Sequence, residues 1–70
     1  MTPAEIKALR VSLGLSQQRF AVRYRLPVAT LQSWEQGRRT PELGSMLLLL
    51  IIRENPLVVA ALIAKIPNPP

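Results

Sequence analysis

The chain has 70 residues, with nine Lys and Arg against four Glu, no Asp, and a formal net charge of +5. It lacks Cys and His, which excludes disulfide staples, thiol catalysis and zinc sites built on those residues; no cofactor or metal is expected. A domain of this size buries only about 60% of its extended surface, so a second copy is the expected source of added stability. Six of the nine basic residues fall between Arg10 and Arg39, a clustering that favours a polyanionic partner.

Taken in order, the chain reads as a series of short helices. Thr2-Pro3-Ala4-Glu5 is a helix start: Thr2 caps, Pro3 suits the first helical position, and Glu5 closes a capping box. Ile6, Leu9 and Leu13 then recur at helical spacing, predicting a helix over 3–13. Gly14 is a left-handed stop, and Leu15 plugs the core. Ser16 caps a second helix over 17–24, with Phe20 and Ala21 inward and Tyr24 packing its ring while its hydroxyl reaches solvent. Arg25-Leu26-Pro27 breaks the pattern. A third helix follows over 28–36, with Leu31 and Trp34 on the core side and Val28, Ala29, Gln32 and Ser33 outward. Gly37 ends it, and Arg38 and Arg39 follow in the loop.

Thr40-Pro41-Glu42 reads as the start of a fourth helix over 41–54. Leu43, Met46, Leu47 and Leu50 form its expected core stripe, leaving Leu48, Leu49, Ile51 and Ile52 with less to cover them. Gly44 inside a helix implies a close contact there. Asn55 and Pro56 cap and start a fifth helix over 56–66, apolar on every face, and the Pro-rich residues 67–70 form a tail. Neither apolar stretch approaches the roughly 20 residues that cross a bilayer, so no membrane partner is expected. The amino terminus has no basic segment followed by a long apolar run, and the expected location is the cytoplasm.

Two short helices joined by a tight turn make a helix-turn-helix, whose second helix enters a DNA groove. Leu15-Ser16-Gln17, Phe20-Ala21 and Trp34-Glu35-Gln36-Gly37-Arg38-Arg39, with Pro41 beyond, resemble the Cro/CI-type helix-turn-helix family of small repressors and DNA-binding antitoxins. The resemblance extends from about Ile6 to Ile63. It implies an all-α, five-helix, lambda-repressor-like domain over residues 1–66. By register it makes Val28, Ala29, Gln32 and Ser33 the base-reading positions. Gln17, at a helix mouth, and Arg38 and Arg39 in the loop become phosphate contacts, and Arg10 pairs with Glu35. Thr30, on the helix shoulder, and Arg23 and Arg25, beside the turn, are further phosphate candidates.

The turn departs from the family pattern, which has glycine, an aliphatic residue, then serine or threonine. A left-handed Arg25 costs roughly 1 kcal/mol relative to glycine. Pro27 offers no hydroxyl to cap the third helix, a loss of about 1 kcal/mol, partly offset by its fixed φ.

The expected function is sequence-specific binding of a double-stranded DNA operator by a homodimeric transcriptional repressor. The alternative is an antitoxin that also represses its own operon and binds a toxin. Catalysis is not expected, because the chain has no His, Cys or Asp and its four Glu are scattered. The apolar surplus of the last two helices predicts a dimer interface at Ile52, Val59, Leu62 and Ile66.

Overall fold

The computed structural model describes residues 1–67, and those residues form five helices: α1 (Pro3–Ser12), α2 (Gln17–Tyr24), α3 (Val28–Glu35), α4 (Leu43–Glu54) and α5 (Pro56–Ala64). No strand occurs among the described residues. Of the expected tail over 67–70, residues 68–70 lie outside them.

Local chemistry sets the helix starts. Thr2 Oγ1 accepts from the Glu5 amide at 3.1 Å, and Glu5 Oε1 accepts from the Thr2 amide at 2.8 Å. This reciprocal bonding holds the exposed Glu5 carboxyl below the usual range. Ser16 Oγ accepts from the Arg19 amide at 3.1 Å. The starts of α4 and α5 differ from expectation. Helix α4 begins at Leu43, two residues late, with Glu42 at the cap position and no side-chain cap bond; the Glu42 carboxylate instead accepts from Ser45 Oγ at 3.0 Å. Asn55 makes no side-chain cap bond to α5 either.

Helices α1, α2 and α3 all end in the same way. Gly14, Arg25 and Gly37 adopt φ of 71°, 55° and 75°. After each, the next amide reaches back five residues: Leu15 to the Arg10 carbonyl, Leu26 to Ala21 and Arg38 to Ser33, at 3.3, 2.8 and 2.9 Å. That bond satisfies a carbonyl the helix leaves open and needs a left-handed residue before it. Arg25 occupies that position without being a glycine, so the helix-turn-helix turn keeps its form. Pro27 caps α3 without a side-chain bond.

The core joins Ile6 and Leu9 of α1, Leu15, Phe20 and Tyr24 of α2 and its approach, Leu31 and Trp34 of α3, Leu49 and Ile52 of α4, and Val59 of α5. The rings of Phe20 and Tyr24 meet at 4.8 Å and 51°. Tyr24 is 2% exposed, and its hydroxyl donates to the Pro56 carbonyl at 3.1 Å rather than reaching solvent. Burial raises the Tyr24 pKa. The bond fastens α5 to the helix-turn-helix.

Helix α4 presents a different face from the expected one. Leu49 and Ile52 are fully buried, Met46 and Leu50 are half-buried, and Leu43 and Leu47 are 86% and 55% exposed. An apolar sequence on all sides carries no polar face to orient the helix. Ile52 and Val59, expected at a dimer interface, are instead core residues of the single chain. Gly44 has nothing within 4 Å of where a Cβ would sit, so no close contact requires it.

Candidate nucleic-acid interface

Helix α3 rests on α1 and α2 through Leu31 and Trp34. With that side inward, Ala29 is exposed and Val28, Gln32 and Ser33 are half-buried. Gln36, the exposed C-cap residue of α3, lies one turn beyond Gln32 and Ser33. The sequence pattern marks it only as the helix end. Its spacing of four from Gln32 and three from Ser33 is the signal that adds it to this surface.

Beside this face, Ala29, Thr30, Ser33 and Arg39 line a shallow cleft of about 280 Å³. Thr30 and Arg39 thus stand together at the flank of α3, a hydroxyl and a guanidinium suited to a phosphate. Arg38 and Arg39 both follow the left-handed Gly37 and are exposed, and Arg39 lines the cleft.

The other basic candidates lie elsewhere. Arg23, with Gln18, Arg19 and Val22, lines a groove against Ala60 and Ala64 of α5. The Arg25 guanidinium donates to the Ile66 carbonyl just beyond α5. Neither lines the cleft with Arg39 and Thr30.

Gln17 also differs from expectation. Its backbone amide stands in the first turn of α2, where helix amides lack intrahelical partners. Its side chain, however, turns inward. Gln17 Nε2 donates to Glu35 Oε1 at 3.3 Å, and Gln17 Oε1 accepts from Gln32 Nε2 at 3.4 Å. Glu35 is also gripped by Arg10, whose Nε and Nη2 each donate to one carboxylate oxygen at 2.8 Å. Arg10 Nη1 donates to the Leu15 carbonyl at 3.0 Å. The hydrogen bonds from Arg10 hold the Glu35 carboxyl below the usual carboxylate range, against the opposing effect of burial. The same bonds raise Arg10. The expected pairing of these two charges is present; the Gln17 side chain joins it, which the motif alone does not reveal.

A family model described as Helix-turn-helix matches residues 6–51. The fold and 40% of the sequence are shared with the crystal structure of a HTH XRE-family like protein from Agrobacterium tumefaciens, with a TM-score of 0.81 over 89% of this chain and 97% of that one. A search of curated proteins returns no match. The chain belongs to the XRE-type helix-turn-helix family. It is therefore a DNA-binding regulator of helix-turn-helix type, and no helix among the described residues is long and apolar enough to cross a membrane.

Proposed function

We propose that the chain is a sequence-specific repressor that binds operator DNA as a homodimer. Helix α3 lies in the major groove, with Gln32 and Ser33 reading base edges and Val28 and Ala29 touching thymine methyls. Arg38, Arg39, Thr30 and the amide end of α2 hold the phosphates on either side. The observation that carries this reading is the cleft formed by Ala29, Thr30, Ser33 and Arg39. It sets a cationic, hydroxyl-lined seat directly against the reading face. Arg23 and Arg25 are left outside the phosphate set.

The dimer contact is the exposed apolar surface of the last two helices. Leu47 and Ile51 on α4, Val58 and Leu62 on α5, and Ile66 just beyond are all exposed. Large exposed apolar patches mark partner surfaces, and a two-fold axis through this one buries it against itself. Two copies of α3 would then meet successive major grooves about 34 Å apart. Leu62 and Ile66 stay in the interface expected from sequence; Ile51 and Leu47 replace the buried Ile52 and Val59.

Footprinting of the DNA flanking the chain's own gene, at two salt concentrations, tests the proposal. The expected result is a protected inverted repeat, with half-sites about one helical turn apart, whose protection weakens at high salt. Uniform binding to all duplexes, or none at either salt, would contradict it. An antitoxin would give the same footprint but would leave the cell bound to a second chain of different mass.

A further inference from the structure

Four side chains from three helices form one polar chain that ends at Gln32, and its significance rests on the base-reading role proposed for Gln32. Arg10 donates to both oxygens of Glu35, Gln17 Nε2 donates to Glu35 Oε1, and Gln32 Nε2 donates to Gln17 Oε1. The direction of every bond is set by chemistry. An ionised carboxylate can only accept, so Gln17 must turn its NH₂ toward Glu35. Its carbonyl oxygen is then the end left for Gln32, which must answer with its own NH₂.

A glutamine amide is nearly symmetric in shape and opposite in character at its two ends. Half a turn exchanges donor and acceptor at almost no steric cost. An exposed glutamine on a reading helix therefore has no fixed order of donor and acceptor. Only a neighbour of one-sided character removes that freedom. Glu35 has that character, and Arg10 keeps it. Glu35 does not itself bond to Gln32, and Gln17 is the link between them.

We infer that Gln17 is a positioning residue for specificity: it passes the acceptor-only character of Glu35 to Gln32, so that the free oxygen and second N–H of Gln32 meet a base pair in one order. Adenine presents N7, an acceptor, beside N6, a donor, in the major groove. An amide held in one order matches A·T in one orientation and mismatches the inverted T·A pair. The polar chain thus sets the strand sense read at that base pair. Gln17 does this without its side chain touching DNA.

The test compares wild type, Gln17→Leu and Gln17→Glu on two duplexes. The duplexes differ only by inversion of the A·T pair at which Gln32→Ala changes binding. Wild type should prefer one orientation by about tenfold or more. Gln17→Leu removes the link and should lower the preference to about twofold or less. Gln17→Glu still offers Gln32 an acceptor and should keep the preference, although the introduced carboxylate repels Glu35 and lowers stability. In the DNA-free protein, the Gln32 side-chain NH₂ resonances should move in Gln17→Leu. The inference is overturned if Gln17→Leu keeps the wild-type preference or leaves those resonances in place. It is also overturned if a folded Gln17→Glu loses the preference as Gln17→Leu does. A wild type with no base pair sensitive to Gln32→Ala would instead remove the base-reading role of Gln32, the premise itself. Should Gln17→Glu not fold, Gln17→Leu decides alone.

Discussion

Arg10 of α1 holds Glu35 at the end of α3 through two parallel hydrogen bonds of 2.8 Å, across 25 positions of sequence. The two side chains are 11% and 4% exposed. Desolvation at such a site offsets much of the attraction, so the pair contributes geometry more than stability. The geometry matters here because Glu35 sits one residue after Trp34 and three after Gln32. A displaced α1 would carry the end of the reading helix with it.

Removing one partner is a different matter from removing both. Arg10→Met should cost about 3 kcal/mol at neutral pH, because it leaves a nearly buried carboxylate without its cation. The pH dependence has a definite sign. The Glu35 carboxyl is lowered in the folded chain by the Arg10 hydrogen bonds. Its contribution is therefore full above the unfolded pKa of about 4.3 and is lost as pH falls through the lower folded value. In Arg10→Met, burial acts unopposed by that cation and raises the carboxyl. Acidification toward the unfolded pKa should then narrow the gap between variant and wild type. Urea unfolding of both proteins across this range checks it; a gap that stays constant with pH would contradict the role assigned to the pair.

Gly44 offers a stabilising change. It lies in the first turn of α4 at ordinary helical φ, with open space where a Cβ would go. Gly44→Ala should raise stability by about 0.5–1 kcal/mol through the lower entropy of the unfolded chain. A thermal melt that falls instead would mean that another surface packs closely there.

These two sites show what the sequence could and could not disclose. The Thr2–Glu5 and Ser16 caps, the stops at Gly14 and Gly37 and the left-handed Arg25 depend on a few neighbouring residues, and local patterns reveal them. The Leu31 and Trp34 face of α3 was legible because polar residues oppose it. The rotation of α4 was not, since Leu43 to Ile52 is apolar nearly all round, and only packing into the shared core selects Leu49 and Ile52. The Tyr24 bond to Pro56 spans 32 positions, and Gln17 meets Glu35 across 18; no local pattern encodes either. Of the residues that the motif register assigns to DNA, Gln32 and Ser33 are half-buried and Arg38 and Arg39 exposed. Arg23 and Arg25 are candidates from their place beside the turn; Arg23 lines a groove against α5, and Arg25 donates to the Ile66 carbonyl just beyond it.

The apolar outer face of α5 makes a prediction about mass. Leu62 is 55% exposed in the single chain, so Leu62→Asp should leave helicity nearly intact. Sedimentation equilibrium at micromolar concentration should give wild type a mass near twice the 7.8 kDa chain, and the variant a mass near one chain. Operator affinity should fall with the mass. A wild type that stays monomeric while binding its operator tightly and without cooperativity would contradict the dimer.

Sequence reading by α3 and phosphate holding by the Gly37 loop can be separated in one binding series. Wild type, Gln32→Ala and Arg38→Ala are titrated against operator and random duplex across a range of salt. Gln32→Ala should lose about 1–3 kcal/mol of preference for operator with little change on random DNA. Arg38→Ala should weaken both duplexes by similar factors and reduce the salt slope by about one unit. Loss of both affinities together in Gln32→Ala, with an unchanged slope in Arg38→Ala, would contradict the account.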